Sequence, residues 1–269
     1  MARAKPIRTI RPSLLTGFLI GVPAILFFLF LGIPLASLLF QQAPQRVWEE
    51  LLQPDTLRAL QLSLVTTTIS TVLAVLLGLP IAYLLARTTF PGKRALETLV
   101  TMPTVLPPVV AGVALLLAFG RVGLIGRYLA LFGITLPFTT VAVILAQFFI
   151  AAPFFINSAR AGFAQLDTRY ELAAYTLRAT PLYTFLHVTL PLVRPALLSG
   201  IGLAWARSLG EFGATITFAG NFPGTTQTLP IAVYISSQID LDKAIAIAVV
   251  LLAVSFGLLL ALQLGQRKS

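Results

Sequence analysis

Arg207 and Glu211 stand four residues apart in a run otherwise made of Leu, Ala, Gly, Ser, Phe and Thr. On a helix this spacing puts both on one face. Charge is expensive at bilayer depth, and such residues usually pair, face a bundle interior or line a water-filled path. Two readings stay open here: an ion pair that locks helix packing, or a pair that lines or gates a path. Gly210 and Gly213 beside them would allow close helix contact. A second candidate is the cluster Pro103, Pro107 and Pro108 with Thr104 among them. Each proline removes a backbone donor and disturbs the turn before it. Interrupted helices at bilayer depth survive only against protein or a cavity. The cluster is thus either a plain kink or a place where freed carbonyls and Thr104 shape a path.

Enzyme signatures are absent. The one Gly-Lys pair, Gly92-Lys93, is followed by Arg94 and lacks the upstream glycine of a phosphate-binding loop. There is no HExxH, and the single histidine, His187, reads as structural or solvated. No GxSxG nucleophile elbow occurs. With no cysteine, disulfides and thiolate chemistry are excluded.

The elements that must position these residues are membrane helices. Hydrophobic residues make up 57% of 269 and charged residues 10%, and mean hydropathy is +0.92. A soluble domain carries roughly 25% charged residues, so lipid must cover most of this chain. About 20 apolar residues cross the hydrocarbon core. Candidate spans lie near 15–40, 59–86, 98–120, 136–159, 195–219 and 243–264, which makes an all-α integral membrane protein of about six spans. The first span follows Arg3, Lys5, Arg8 and Arg11, and is too long for a signal-peptide core.

The net charge of +10 is spread between apolar segments rather than gathered in a patch, which argues for topology signalling and against nucleic acid. One side holds Arg3, Lys5, Arg8, Arg11, Arg87, Lys93, Arg94, Arg160, Arg169, Arg178, Arg194, Arg267 and Lys268. The other holds Arg46, Arg58, Arg121, Arg127 and Lys243. Both termini are expected to be cytoplasmic. The polar stretches 41–57 and 220–242 fall outside, with 121–135 as an external loop carrying a short interfacial helix, and 160–194 falls inside.

Within that inner stretch Thr168-Arg169-Tyr170-Glu171 has the form of a capping box, with Thr168 as N-cap. Pro181 pushes Thr180 out of helical geometry, so a helix is expected over about 169–179. Tyr170, Ala173, Ala174 and Leu177 share one apolar face. So short a helix is marginal alone, and the chain offers no soluble domain for it to rest on. A cytoplasmic partner or the membrane surface would cover that face.

Glu171-Leu172-Ala173-Ala174-Tyr175-Thr176-Leu177-Arg178, followed by Val188-Thr189-Leu190-Pro191, resembles the cytoplasmic EAA loop of type I ABC importer permeases. Leu172 stands where that motif has its Glu, with Glu171 one residue earlier, and Arg178 stands where it has the glycine that marks the turn. The resemblance runs from about 58 to 264. The segments Met102–Gly112, Arg207–Thr215 and Thr226–Tyr234 are similar to molybdate permeases. Sulfate/thiosulfate permeases are similar around Gly210–Gly213 but less so over 226–234, and tungstate permeases are not separable by sequence.

This resemblance implies an N-terminal segment, first span and external loop over 1–57, a permease core over 58–264 and a cytoplasmic tail over 265–269. It implies a homodimer in a bacterial or archaeal cell membrane, a cytoplasmic ABC ATPase dimer that uses ATP, and an external oxyanion-binding protein. No cofactor or metal is expected on this chain. Tyr170, Glu171, Ala173, Ala174, Leu177 and Arg178 would form the ATPase-coupling helix, closed by Leu190 and Pro191. Pro103, Thr104, Pro107, Pro108, Arg207 and Glu211 would line or gate the path. A carrier driven by an ion gradient is the alternative of another class, and it would be expected to show more ionisable residues at the midplane.

Overall fold

The computed structural model describes residues 14–266, and among them every regular element is helical. Arg3, Lys5, Arg8, Arg11, Arg267 and Lys268, which carry part of the topology reading, lie outside the described residues. The chain divides into two units, residues 1–44 and 45–269. The first contributes α1, Leu14–Phe40, with Pro23 and Pro34 inside it. At 1.5 Å per residue its 27 residues reach about 40 Å, enough to cross a bilayer.

The second unit opens with α2 (Pro44–Leu51), whose first residue belongs to the preceding unit, and α3 (Pro54–Arg87). Two shorter helices follow, α4 (Lys93–Val105) and α5 (Pro108–Phe119), then the single-turn α6 (Gly126–Leu131) and the long α7 (Thr140–Gln165). After α8 (Arg169–Thr176) comes α9 (Pro181–Thr184), which runs through a π-turn (Phe185–Thr189) into α10 (Leu190–Leu209). The chain closes with α11 (Gly213–Ala219), α12 (Leu229–Ser237) and α13 (Leu241–Gln266). Among the described residues, five stretches are long and apolar enough to span: 18–40, 54–87, 140–165, 181–209 and 241–258. The pair α4/α5, bent by 117°, is a sixth broken span or a re-entrant loop.

Two expected spans are therefore not continuous. The segment 98–120 is broken at Leu106 and Pro107, whose extended ψ values of 134° and 133° take the chain out of the helix. Pro107 and Pro108 donate no N–H, and the carbonyl of Pro107 instead accepts from Ala111 at the start of α5. The segment 195–219 is broken at Gly210, Glu211 and Phe212, and the actual span starts earlier, at Pro181. Pro191 has no N–H for the carbonyl of His187. The turn before it widens, and Leu190 N–H reaches the carbonyl of Phe185. The expected 136–159 starts later, at Thr140, where the Thr139 hydroxyl caps the N–H of Ala142. It follows Phe138, a non-glycine residue at φ +64°. The short helix expected within 121–135 is α6. The polar stretches 41–57 and 220–242, by contrast, contain α2 and α12, which carry no long apolar run.

Packing centres on α7, which touches α3, α10, α11, α4 and α5. Alanines of α3, α7 and α10 (Ala74, Ala82, Ala151, Ala159, Ala204) let backbones approach, and Phe155 and Phe163 fill the space between. A second cluster joins α5, α7 and α11 through Ala111, Leu115, Ala142, Ile150, Ala214 and Phe218. A stripe of small polar residues runs up α3, with Ser63, Thr66, Thr67, Ser70 and Thr71 all buried. Three of their hydroxyls bond backward to the carbonyls of Leu62 and Thr67. Others cross between helices: Ser70 to Ser208 at 2.9 Å, and Ser63 accepting Leu229 N–H at 2.8 Å. In lipid, where apolar contact between helices gains little, such close packing and hydrogen bonding hold a bundle together.

Candidate functional site

The two broken spans meet at their breaks. A side chain on Gly213 would lie 2.7 Å from Pro108 Cβ and 3.2 Å from the backbone nitrogen of Val109, so the start of α11 sits directly on the start of α5. One turn along, Gly112 faces Thr217 and the backbone of Ala214 with equal closeness. Glycine is required at both positions because the opposing atoms are backbone and β-carbons, which cannot rotate aside.

The ionisable pair lies at this junction. Glu211 is 1% exposed. Its Oε1 accepts the N–H of Ala214 at 2.8 Å, and its Oε2 pairs with Arg207 Nη1 at 2.7 Å. Glu211 thereby satisfies one donor left over at the start of α11 and neutralises the guanidinium. The two residues do not share a continuous helix, as their spacing implied. Arg207 is in the last turn of α10, Glu211 is in the break, and the turn at Gly210 preserves their contact. The Arg207 side chain keeps 28% of its surface open. Pro107 and Pro108 belong to the same junction. Thr104 does not join it through any contact of its hydroxyl, which bonds back to the carbonyl of Thr101 at 2.7 Å. Pro103 sits inside α4, one turn before the break.

A second cluster forms where α10 begins, about 30 Å from its far end. There α8 packs on α9 and the π-turn, and its Glu171 reaches the end of α3. Glu171 is buried and accepts the Thr189 hydroxyl at 2.8 Å through Oε1. The same oxygen lies 3.3 Å from Arg87 Nη2, at the end of α3. Arg87 Nη1 donates to the carbonyl of Leu166, where α7 ends, at 3.2 Å. Tyr83, Phe163 and Phe185 pack edge to face beneath. The opposite face of α8 is open: Tyr170, Leu172 and Leu177 are exposed, Leu177 by 84%.

The capping box is not formed. Thr168 is itself helical and caps nothing, and the Asp167 carboxylate takes the N–H of Arg169 at 2.9 Å. Glu171 turns inward because Arg87 and Thr189 offer it more than a backbone donor could. The helix also ends three residues early, at Thr176, since Arg178 adopts φ +62°. This is the position at which the EAA motif carries glycine, so the glycine-like turn is present without the glycine. The left-handed conformation costs an L-residue about 1–2 kcal/mol, while glycine loses about 0.5–1 kcal/mol in unfolded-chain entropy. Arg178→Gly is therefore expected to stabilise the purified chain by about 0.5–1 kcal/mol, read as a rise in its thermal midpoint. Leu190 and Pro191 open α10, beside Thr189.

Arg87, Thr189, Glu97 and Arg160 were visible in the sequence only as polar or topology-setting residues. Arg160 pairs with Glu97 at 2.7 Å, tying α7 to α4. Nothing local marks these partners, since they come together from distant helices. The α3 stripe, in contrast, follows i, i+3, i+4, i+7, i+8 and could have been found by that spacing.

Long apolar helices and a bent pair describe a multi-pass membrane protein, and solved ABC importers share its fold. Among solved structures, a bacterial ABC transporter involved in the import of the acidic polysaccharide alginate matches with a TM-score of 0.75 at 18% identity, over 95% of each chain. The MetNI methionine ABC transporter matches with a TM-score of 0.65 at 20% identity, over 84% of this chain and 99% of that one. Residues 74–265 match the family described as the binding-protein-dependent transport system inner membrane component, and the chain belongs to it. The molybdenum transport system permease protein ModB of Mycobacterium tuberculosis is 46% identical over 234 residues, covering 87% of this chain and 89% of the relative. The sulfate transport system permease protein CysT of Escherichia coli is 35% identical over 260 residues, 94% of each.

Proposed function

We propose that this chain forms the translocation path of an ATP-driven importer for molybdate. The 46% identity with a molybdenum permease over most of both chains carries the substrate assignment. The chain acts as a homodimer, with both termini in the cytoplasm and an oxyanion-binding protein outside. A separate ATPase dimer receives α8 on its open face and hydrolyses the ATP, so this chain needs no catalytic group or cofactor of its own. The junction of the broken spans, with Arg207 held by Glu211, lines or gates the path. A cation of fixed position suits a tetrahedral oxyanion, and a neutralising carboxylate keeps the site from binding it too tightly to release.

Uptake of radiolabelled molybdate at nanomolar concentration tests this reading, in cells lacking the chain and in cells complemented with it. Restored uptake that tungstate blocks and excess sulfate does not is the expected result. Sulfate import is the second reading, favoured by the 35% identity with a sulfate permease over nearly the full length, and uptake abolished by sulfate would select it. Ala173→Asp places a charge in the exposed α8 face, and the ATPase is expected to be lost from the purified complex along with ATP-dependent uptake. An ATPase that still co-purifies and drives uptake would remove α8 as the docking element.

A further inference from the structure

The open face of α8 explains how a partner could bind. It does not explain how a movement of α8 would reach the spans. An eight-residue helix joined to the spans by turns alone would yield before it pushed anything. The second cluster removes that freedom at one point. Glu171 lies on the inner side of α8, with its carboxylate wedged between Arg87 and Thr189. Arg87 is the last residue of α3, and Thr189 immediately precedes α10. Through its other terminal nitrogen Arg87 also holds the carbonyl of Leu166, the residue that ends α7. The carboxylate thus ties the short helix directly to the ends of α3 and α10, and through Arg87 to the same-side end of α7.

The two charged side chains are only 13% and 11% exposed. Neither can turn to water without giving up its partner, so the contact resists being pulled apart. Arg87 is also incompletely satisfied: its buried Nε and Nη2 have no hydrogen-bond partner, and Nη2 meets Glu171 as an ion pair. A guanidinium whose planar fork spans two acceptors transmits direction as well as attraction. We propose that Arg87 is a positioning residue for energy coupling. With Glu171 it forms a strut that makes α3, α7 and α10 follow the docked helix. This rests on the reading of α8 as the ATPase-docking helix.

The test uses proteoliposomes holding the whole transporter and its binding protein. The readout is ATP hydrolysed per oxyanion imported, with molybdate as probe, or sulfate if the parent imports that instead. Arg87→Met keeps the aliphatic stem and removes the fork. The ATPase is expected to co-purify as before, while ATP consumed per ion rises about fivefold, within the range seen for residues that carry coupling between sites. Arg87→Lys keeps the charge but cannot span Leu166 and Glu171 together, and a rise of about two- to threefold is expected. A ratio within twofold of the parent in an assembled Arg87→Met complex would overturn the strut. If that variant fails to assemble, an unchanged ratio in Arg87→Lys overturns it instead. Ala173→Asp, scored by co-purification of the ATPase, separates the two ideas. Retained ATPase there sinks the docking reading whatever the Arg87 variants do, whereas lost ATPase with a normal ratio in Arg87→Met sinks only the strut.

Discussion

Glu211→Ala is expected to leave the chain scarce in the membrane and to abolish uptake. The substitution strips Ala214 N–H of its acceptor and leaves Arg207 without its counter-charge at a buried junction. Breaking a buried pair by removing one partner costs about 3–5 kcal/mol, much of the stability of an ordinary domain. Glu211→Gln keeps an acceptor for Ala214 and loses only the charge, so it should sit between the parent and the alanine variant. Quantitative immunoblotting of membranes checks the order. Removing Arg207 as well separates a lock from a path. In Arg207→Met with Glu211→Gln the abundance is expected to recover, because no charge is left unpaired, while uptake per inserted molecule stays low. Uptake that recovers in step with abundance would make the pair a packing lock alone.

Gly112→Ala should be nearly as damaging, for the sake of one methyl group. The new Cβ would stand 2.6 Å from Thr217 Cβ, 2.9 Å from the carbonyl oxygen of Ala214 and 3.0 Å from its Cα. Carbon atoms in contact prefer about 3.5–4.0 Å, and none of these neighbours can rotate out of reach. Helices α5 and α11 must separate by about 1 Å, at about 1–3 kcal/mol. Because α11 also supplies the N–H bonded by Glu211, the shift should disturb the ion pair and depress uptake more than abundance. Gly210→Ala is the control. Its Cβ would meet only the carbonyl of Ala206, at 3.6 Å, and the backbone there needs no glycine. Thermal aggregation of the detergent-solubilised proteins should therefore place Gly112→Ala well below the parent and Gly210→Ala beside it.

The places where sequence reading stopped short share a physical cause. Apolar length identifies a span because lipid accepts nothing else over that distance. It does not report an interruption whose backbone groups are rehoused by neighbours, and both broken spans are of this kind. The prolines of Met102–Gly112 mark a disturbance but not its size, and Leu106 and Pro107 leave the helix altogether. Arg207–Thr215 reads as one helical face, yet Gly210 turns the chain and Glu211 becomes a cap. The Thr168 box failed for a related reason. Its local geometry was plausible, but Glu171 had a stronger partner in Arg87, 84 positions earlier in the chain and invisible to a window of four. What was legible without any partner was the open face of α8, because a helix of that length with an apolar stripe cannot stand alone.

Arg207 and Thr189 lie at opposite ends of α10, which runs unbroken from Leu190 to Leu209. A helix of 20 residues is about 30 Å long. It acts as a lever, so tilting by about 5° at its base swings its tip by about 2.6 Å, an ordinary amplitude for hinge motion. That swing matches the 2.7 Å separating Arg207 from Glu211. Glu211 is moored to α11 through Ala214, and α11 is clamped to α5 at Gly112 and Gly213. Any such tilt must therefore either drag α5 and α11 along with it or pull the guanidinium off its carboxylate.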